Sequence, residues 1–412
     1  MNARPEPRIT GAAFVALALF IGSWALLHVG FYTHKQVLDT PVYQTYGNAI
    51  ARGEIPYRDF TVEYPPGALP VFALPGLAKT GNGQDVTPGF RHVFETMMWL
   101  CGAVALLAMA VTLRALHADP LRVWAALAFA ALAPLAIGSV LLSRFDLWPA
   151  ALTAVALAAV VSGRLRLGSA LLGVAITAKL YPAILAPLFV TYAWRREGRR
   201  RALVCLALVV AVVAVVFLPF VALAPHGVWH SLTVQLTRPL QIESLGAALL
   251  VAAHHLWGYT VTMESSHGSQ NLAGHTARAL AAALSVIQAL ALIAVWTLFG
   301  RGRPSRERLV WASAAALAAF VGLGKVLSPQ FLIWLVAIVP LVRGRRGFWA
   351  SMLLAAAFVL TQIWFPFRYW DYANHFDPGP SWLVLARDLV LVSLFALLLT
   401  QPNRASTRPE SP

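Results

Sequence analysis

Cysteine is almost missing from this chain: Cys101 and Cys205 are the only two in 412 residues. Both fall inside apolar runs, one near mid-depth and the other near the inner end of its run, so no disulfide is expected between them. Charge is scarce too. Acidic and basic residues make up 12 % of the chain against 59 % hydrophobic residues, which excludes a soluble globular protein. Lysine occurs four times beside 28 arginines. With the heavy use of alanine, that ratio fits a GC-rich bacterial genome. Several motifs are also lacking: there is no phosphate-cradling glycine loop, dinucleotide fingerprint or nucleophile elbow, so a donor held in a familiar cytosolic nucleotide module is not expected. His226/His230 at helical spacing and the neighbours His254-His255 lack a third ligand nearby, so neither a metal nor any other cofactor is expected.

What the chain has is apolar runs of about 17–25 residues, the length a helix needs to cross a bilayer. They lie near 10–30, 89–113, 121–142, 147–162, 201–223, 274–299, 307–322, 328–342, 347–365 and 382–400. The first, following Arg4 and Arg8, lacks a small-residue cleavage site and reads as an uncleaved anchor. With the N-terminus inside, twenty basic and five acidic residues fall on the inner side, so the whole net charge of +15 lies there. A nucleic-acid partner would need a basic face unrelated to the spans, and that reading is rejected. Arg164 and Arg166 precede the stretch 168–193, and Trp194-Arg195-Arg196 follows it. Both basic groups belong inside, yet the stretch is too short for two full crossings. It is expected to form two half-helices meeting near Lys179-Leu180-Tyr181-Pro182, with one long tilted helix as the alternative. Counting the hairpin as two, about twelve crossings result, with both termini cytoplasmic. Residues 1–412 then form one integral membrane domain with outer loops at 31–88 and 224–273 and a disordered tail at 403–412.

The outer side collects the chemistry. The first loop carries Asp39, Asp59 and Glu63 among tyrosines and prolines. Asp39 lies about nine residues beyond the first span, close to a lipid-borne substrate, and Pro41, Tyr43 and Tyr46 would give an aromatic wall suited to sugars. Asp59 and Glu63 would share a helical face, but Pro65-Pro66 forces extended backbone right after them. Asp39 is favoured as base, with Asp59 and Glu63 as acceptor or structural contacts; the alternative for each acid is a solvated charge or cap. All four lysines fall outside, and Lys179 and Lys325 stand at the mouths of apolar segments. An ionisable group there pairs, snorkels or meets an anion, and for the two together a phosphate site is favoured. Arg144 reads first as an ion pair with Asp146. Arg238, before a short interfacial helix at 245–256, reads first as a headgroup anchor.

Together, Asp39-x-x-Val42-Tyr43 with a following Gly and Tyr-Pro-Pro, Lys179-x-Tyr181-Pro182, and Lys325-x-Leu327-Ser328-Pro329-Gln330 before Trp334 resemble glycosyltransferase family 87. Gln241-Ile242-Glu243-Ser244 adds to the likeness, which runs through most of the chain. The resemblance implies an all-α polytopic membrane protein of GT-C architecture in a bacterial plasma membrane. It also implies polyprenol-phosphate-mannose-dependent, inverting transfer to a lipid or glycan acceptor on the extracytoplasmic face. An aspartate of the first outer loop would act as general base, and Asp39 is the matching position. Charge, rather than the likeness itself, assigns the donor phosphate to Lys179 and Lys325 with Arg144 and Arg238. Asp59, Glu63, Tyr43, Tyr64, Gln241, Glu243 and Gln330 would contact sugar or acceptor. Asp39 is followed by Thr40 rather than a second acid, which departs from a pattern seen in other GT-C enzymes and keeps Asp59 open as base. A transporter or flippase of lipid-linked sugars is the alternative; it calls for internal repeats and mid-bilayer charges, and no convincing repeat is found.

Overall fold

The computed structural model describes residues 6–34, 37–78 and 86–400. It is mostly helical. Among the described residues, seven helices are long and apolar enough to cross a membrane: Ile9–Leu26, Pro88–Ala115, Pro120–Ile137, Arg199–Leu223, His275–Arg301, Gly344–Trp364 and Pro378–Leu399. Their starts follow from local chemistry. Thr87 and Asp119 cap the N–H groups of Phe90 and Arg122, and Pro88 and Pro120 stand at first helical positions where no N–H is needed. Burial separates their roles. Arg199–Leu223 is the most apolar and only 11 % of its spanning window is buried, as a helix facing lipid requires. Leu147–Val161 is buried almost throughout. Its alanines let Leu165–Ala178 and Pro88–Ala115 approach closely, since small side chains are what pack membrane helices.

The expected hairpin is present. Leu165–Ala178 stops at Lys179, whose backbone is extended, and the chain returns through a 3-10 turn at Tyr181–Leu185 and the helix Ala186–Glu197. Pro182 disfavours helical backbone at Tyr181 and removes an N–H, which keeps the two pieces from fusing into one long helix. At the far end Arg195 donates to the carbonyls of Gly300 and Gly302 and ties the hairpin to the connection between His275–Arg301 and Arg306–Gly322. The expected crossing at 328–342 differs. It consists of a 3-10 turn Pro329–Leu332, a short helix Ile333–Val336 and a second 3-10 turn Val339–Leu341. Pro329 and Pro340 interrupt it, and neighbouring helices bury it almost completely.

The two loops expected on the outer side are built structures. The first holds the helices Thr40–Ala51 and Pro70–Gly76, which meet at Gly47 and Gly76. A Cβ on Gly47 would stand 2.4 Å from the Phe72 carbonyl, so only glycine fits. No helix joins Asp59 to Glu63; the chain turns at Tyr57 (φ 68°) and then runs extended toward Pro65. The second loop holds helices Pro225–Leu236 and Leu245–Trp257 and a small antiparallel sheet. Its strands are β1 (Leu240–Gln241), β2 (Met263–Ser266) and β3 (Ser269–Leu272), in the order β1-β3-β2, with Gln241 opposite Asn271 and Asn271 opposite Glu264. No strand is expected from the sequence, because runs of two to four residues carry no readable alternation.

Candidate active site

These two loops, the hairpin turn and the start of the 329–341 segment enclose a cavity of about 700 Å³. It is lined by Asp39, Tyr43, Glu63, Tyr64, Arg144, Lys179, Arg238, Gln241, Glu243, Lys325 and Gln330. Every candidate from the sequence except Asp59 therefore reaches one hollow. Asp59 is held elsewhere: its carboxylate accepts from the Ile55 N–H at 2.7 Å and pairs with Arg58 at 2.9 Å. Those two contacts hold its carboxyl below the usual carboxylate range and turn it to solvent. Lys35 and Lys79 lie outside the described residues.

The ion pairs differ from the expected one. Arg144 does not pair with Asp146. Its Nη1 pairs with Asp39, and Lys179 Nζ donates to Asp146 at 2.6 Å. Two charges two residues apart look like partners in sequence, but here each finds its mate on another segment. Asp146, only 1 % exposed, also accepts from Trp334 Nε1 at 2.7 Å. Lys179 lies 4.8 Å from the Phe145 ring centroid and 5.1 Å from that of Trp334, and Tyr181 stacks on Trp334 at 4.0 Å. The cavity thus holds a buried, aromatic-walled Lys–Asp pair. Tyr43 and Tyr46 do not form an open wall. Both are buried against Phe72 and Tyr64 and support the loop, with the Tyr43 hydroxyl 3.4 Å from Asp39 Oδ2.

The remaining cations stand differently. Arg238 and Lys325 have no carboxylate within salt-bridge distance among the described residues. Arg238 Nε is buried without a hydrogen-bond partner, and Lys325 Nζ donates to the Leu236 carbonyl at 3.0 Å. Burial lowers the pKa of both, and the facing Arg238 lowers that of Lys325 further. Across from them, burial raises the Glu243 carboxyl to about 7, against the opposing pull of Arg387 and Arg144. Gln270, Tyr369 and Trp370 also line the cavity without having been singled out by sequence, and so does Asp146, which the sequence offered only as a partner for Arg144. Asp146 alone carried a signal, as an acid at the mouth of an apolar run; the others arrive from remote loops. Among the described residues, no histidine lines the cavity.

Residues 60–329 match glycosyltransferase family 87. No curated protein matches the chain. Among solved structures, the oligosaccharyltransferase of Archaeoglobus fulgidus aligns with 95 % of this chain in its apo form, at 13 % identity, a TM-score of 0.43 and 55 % coverage of that protein. Tethered to an acceptor peptide, the same protein aligns at 12 % identity and a TM-score of 0.46, covering 96 % of this chain and 56 % of that one. ArnT from Cupriavidus metallidurans bound to undecaprenyl phosphate aligns at 16 % identity and a TM-score of 0.48, covering 96 % of this chain and 77 % of that one. The chain spans about half the length of the oligosaccharyltransferase.

Proposed function

The chain belongs to glycosyltransferase family 87, and from that membership we propose that it moves a sugar, mannose in the first instance, from a polyprenyl-phosphate donor to a glycolipid or glycan acceptor. The fold proposed is of GT-C type with about twelve crossings of a bacterial plasma membrane. Both termini are placed in the cytoplasm and the cavity on the extracytoplasmic side.

The chemistry proposed is an inverting displacement. Asp39 takes the proton of an acceptor hydroxyl as that oxygen attacks the anomeric carbon, and the bond to the phosphate oxygen breaks. Arg144, paired to Asp39, orients the carboxylate. The departing polyprenyl phosphate gains negative charge, which Arg238 and Lys325 are free to meet. Lys179 is reassigned: with Asp146 already on it, its role is to fix the floor of the cavity. In this scheme fixed cations supply the charge neutralisation, with no cofactor assigned. One observation carries the reading: the Asp39 carboxylate and two cations without carboxylate partners line the same hollow. The test is transfer from radiolabelled polyprenyl-phosphate mannose in membranes. Asp39→Asn should lower turnover by about a hundredfold or more at unchanged protein level; normal turnover by that variant would remove Asp39 as base.

A further inference from the structure

The cavity wall at 240–244 has features that charge stabilisation does not use. Gln241 and Glu243 are 3 % and 2 % exposed. Gln241 Nε2 commits both hydrogens, donating to Glu243 Oε2 at 2.8 Å and to Ser328 Oγ at 2.7 Å. That leaves Gln241 Oε1 and Glu243 Oε1 buried with no hydrogen-bond partner. Buried acceptors without donors are rare and costly, so this wall calls for something that brings hydrogens.

Behind it stands Arg387, fully buried in the helix Pro378–Leu399. A guanidinium inside a spanning helix is expensive and points to function, with its partner as the clue. Arg387 Nη2 donates to the Glu243 carbonyl at 2.7 Å, and Nε pairs with Asp388 at 2.7 Å. Alongside, the Tyr372 hydroxyl donates to the Ile242 carbonyl at 2.5 Å, and the Gln241 N–H donates to the Lys325 carbonyl at 3.0 Å. The segment is thus pinned from behind and beside.

We propose that Gln241 and Glu243 form a subsite for hydroxyl groups of a neutral sugar, and that Arg387 is the positioning residue that fixes it. This rests on the donor reading above. Gln241 Oε1 only accepts, as does Glu243 Oε1 when the carboxyl is ionised, so the ligand must donate; hydroxyls do, while the carboxylate of an acidic sugar would be repelled by Glu243. Arg238 and the Lys325 backbone adjoin the same strand, which suits a ligand whose phosphate and sugar ring share one ester oxygen. The ionised form of Glu243 makes the stronger bond. Facing it are Arg387 and Asp388 from the last helix, Arg144 from the turn before Leu147–Val161, and Gln241 beside it. Tyr369, Tyr372 and Arg238 approach from the adjoining loops. Arg387 is the largest charge favouring ionisation.

The experiment measures binding of polyprenyl phosphate and of polyprenyl-phosphate mannose to the full chain in nanodiscs, across pH. Wild type should prefer the sugar-bearing lipid, and Glu243→Ala should weaken that lipid by about 10–100-fold while leaving sugar-free polyprenyl phosphate within about twofold. The sugar preference should rise with pH through a midpoint near 7, where the carboxyl ionises. Glu243→Gln should abolish that midpoint, and Arg387→Met should move it upward, which a purely structural role would not do. Equal weakening of both lipids by Glu243→Ala, or a midpoint that survives Glu243→Gln, overturns the subsite. If wild type binds both lipids equally, the subsite fails and the phosphate reading stands. If it binds neither, the donor reading fails and takes the subsite with it.

Discussion

Asp39 and Asp59 illustrate what a residue's neighbours decide. Both are loop acids a short distance from tyrosines, yet one faces the cavity beside Arg144 and the other is turned away by Arg58 and the Ile55 N–H. Asp59→Asn should therefore leave turnover within about threefold, read in the same transfer assay that tests Asp39. Lys179 and Arg238 part in the same way. Lys179→Met leaves the Asp146 carboxylate buried and unpaired, and should lower stability by about 3–5 kcal/mol, seen as a large drop in thermal midpoint. Changing Asp146 to Leu as well should recover much of that loss, as removal of both charges does in buried pairs. Arg238→Ala strands no partner. It should leave the thermal midpoint nearly in place and weaken polyprenyl phosphate binding by at least about tenfold. Sequence gave away the residue types at these positions, because charge at the mouth of an apolar run is conspicuous. It did not give away the pairing, since partners come from segments that meet only after folding.

At the scale of elements, what was legible depended on length and period. The long spans were readable because hydropathy over about 19 residues averages out local detail. The hairpin was readable from arithmetic: basic residues flank a stretch of 168–193, and its 14- and 12-residue pieces meet where Pro182 forbids continuation. The 329–341 segment is broken rather than one continuous helix because apolarity says burial and not helix; burial by protein rather than lipid permits its 3-10 turns. The three short strands gave no periodic signal at all. Within the first loop, the Gly47–Gly76 contact sets the approach of two helices that carry Asp39 and the loop toward Glu63. Gly47→Ala should shift the Phe72 backbone, cost about 1–3 kcal/mol of stability, and lower turnover with it. Thermal melts in detergent alongside the transfer assay would show both.

For the whole molecule, the distribution of charge sets orientation. The expected topology places Glu197 inside and Ser266, at the hairpin of the small sheet, outside. Both native cysteines are buried, so single introduced cysteines can be read cleanly. In intact cells, Ser266→Cys should react with a membrane-impermeant maleimide and Glu197→Cys should not; the reverse pattern would invert the protein. The cavity has its own consequence for the proposed reaction. Its volume of about 700 Å³ lies within the range of small-molecule pockets. Such a chamber leaves a long polymer outside. An enzyme of this build would read only the terminus of its acceptor, and the length of a finished chain would have to be decided by something other than this chamber.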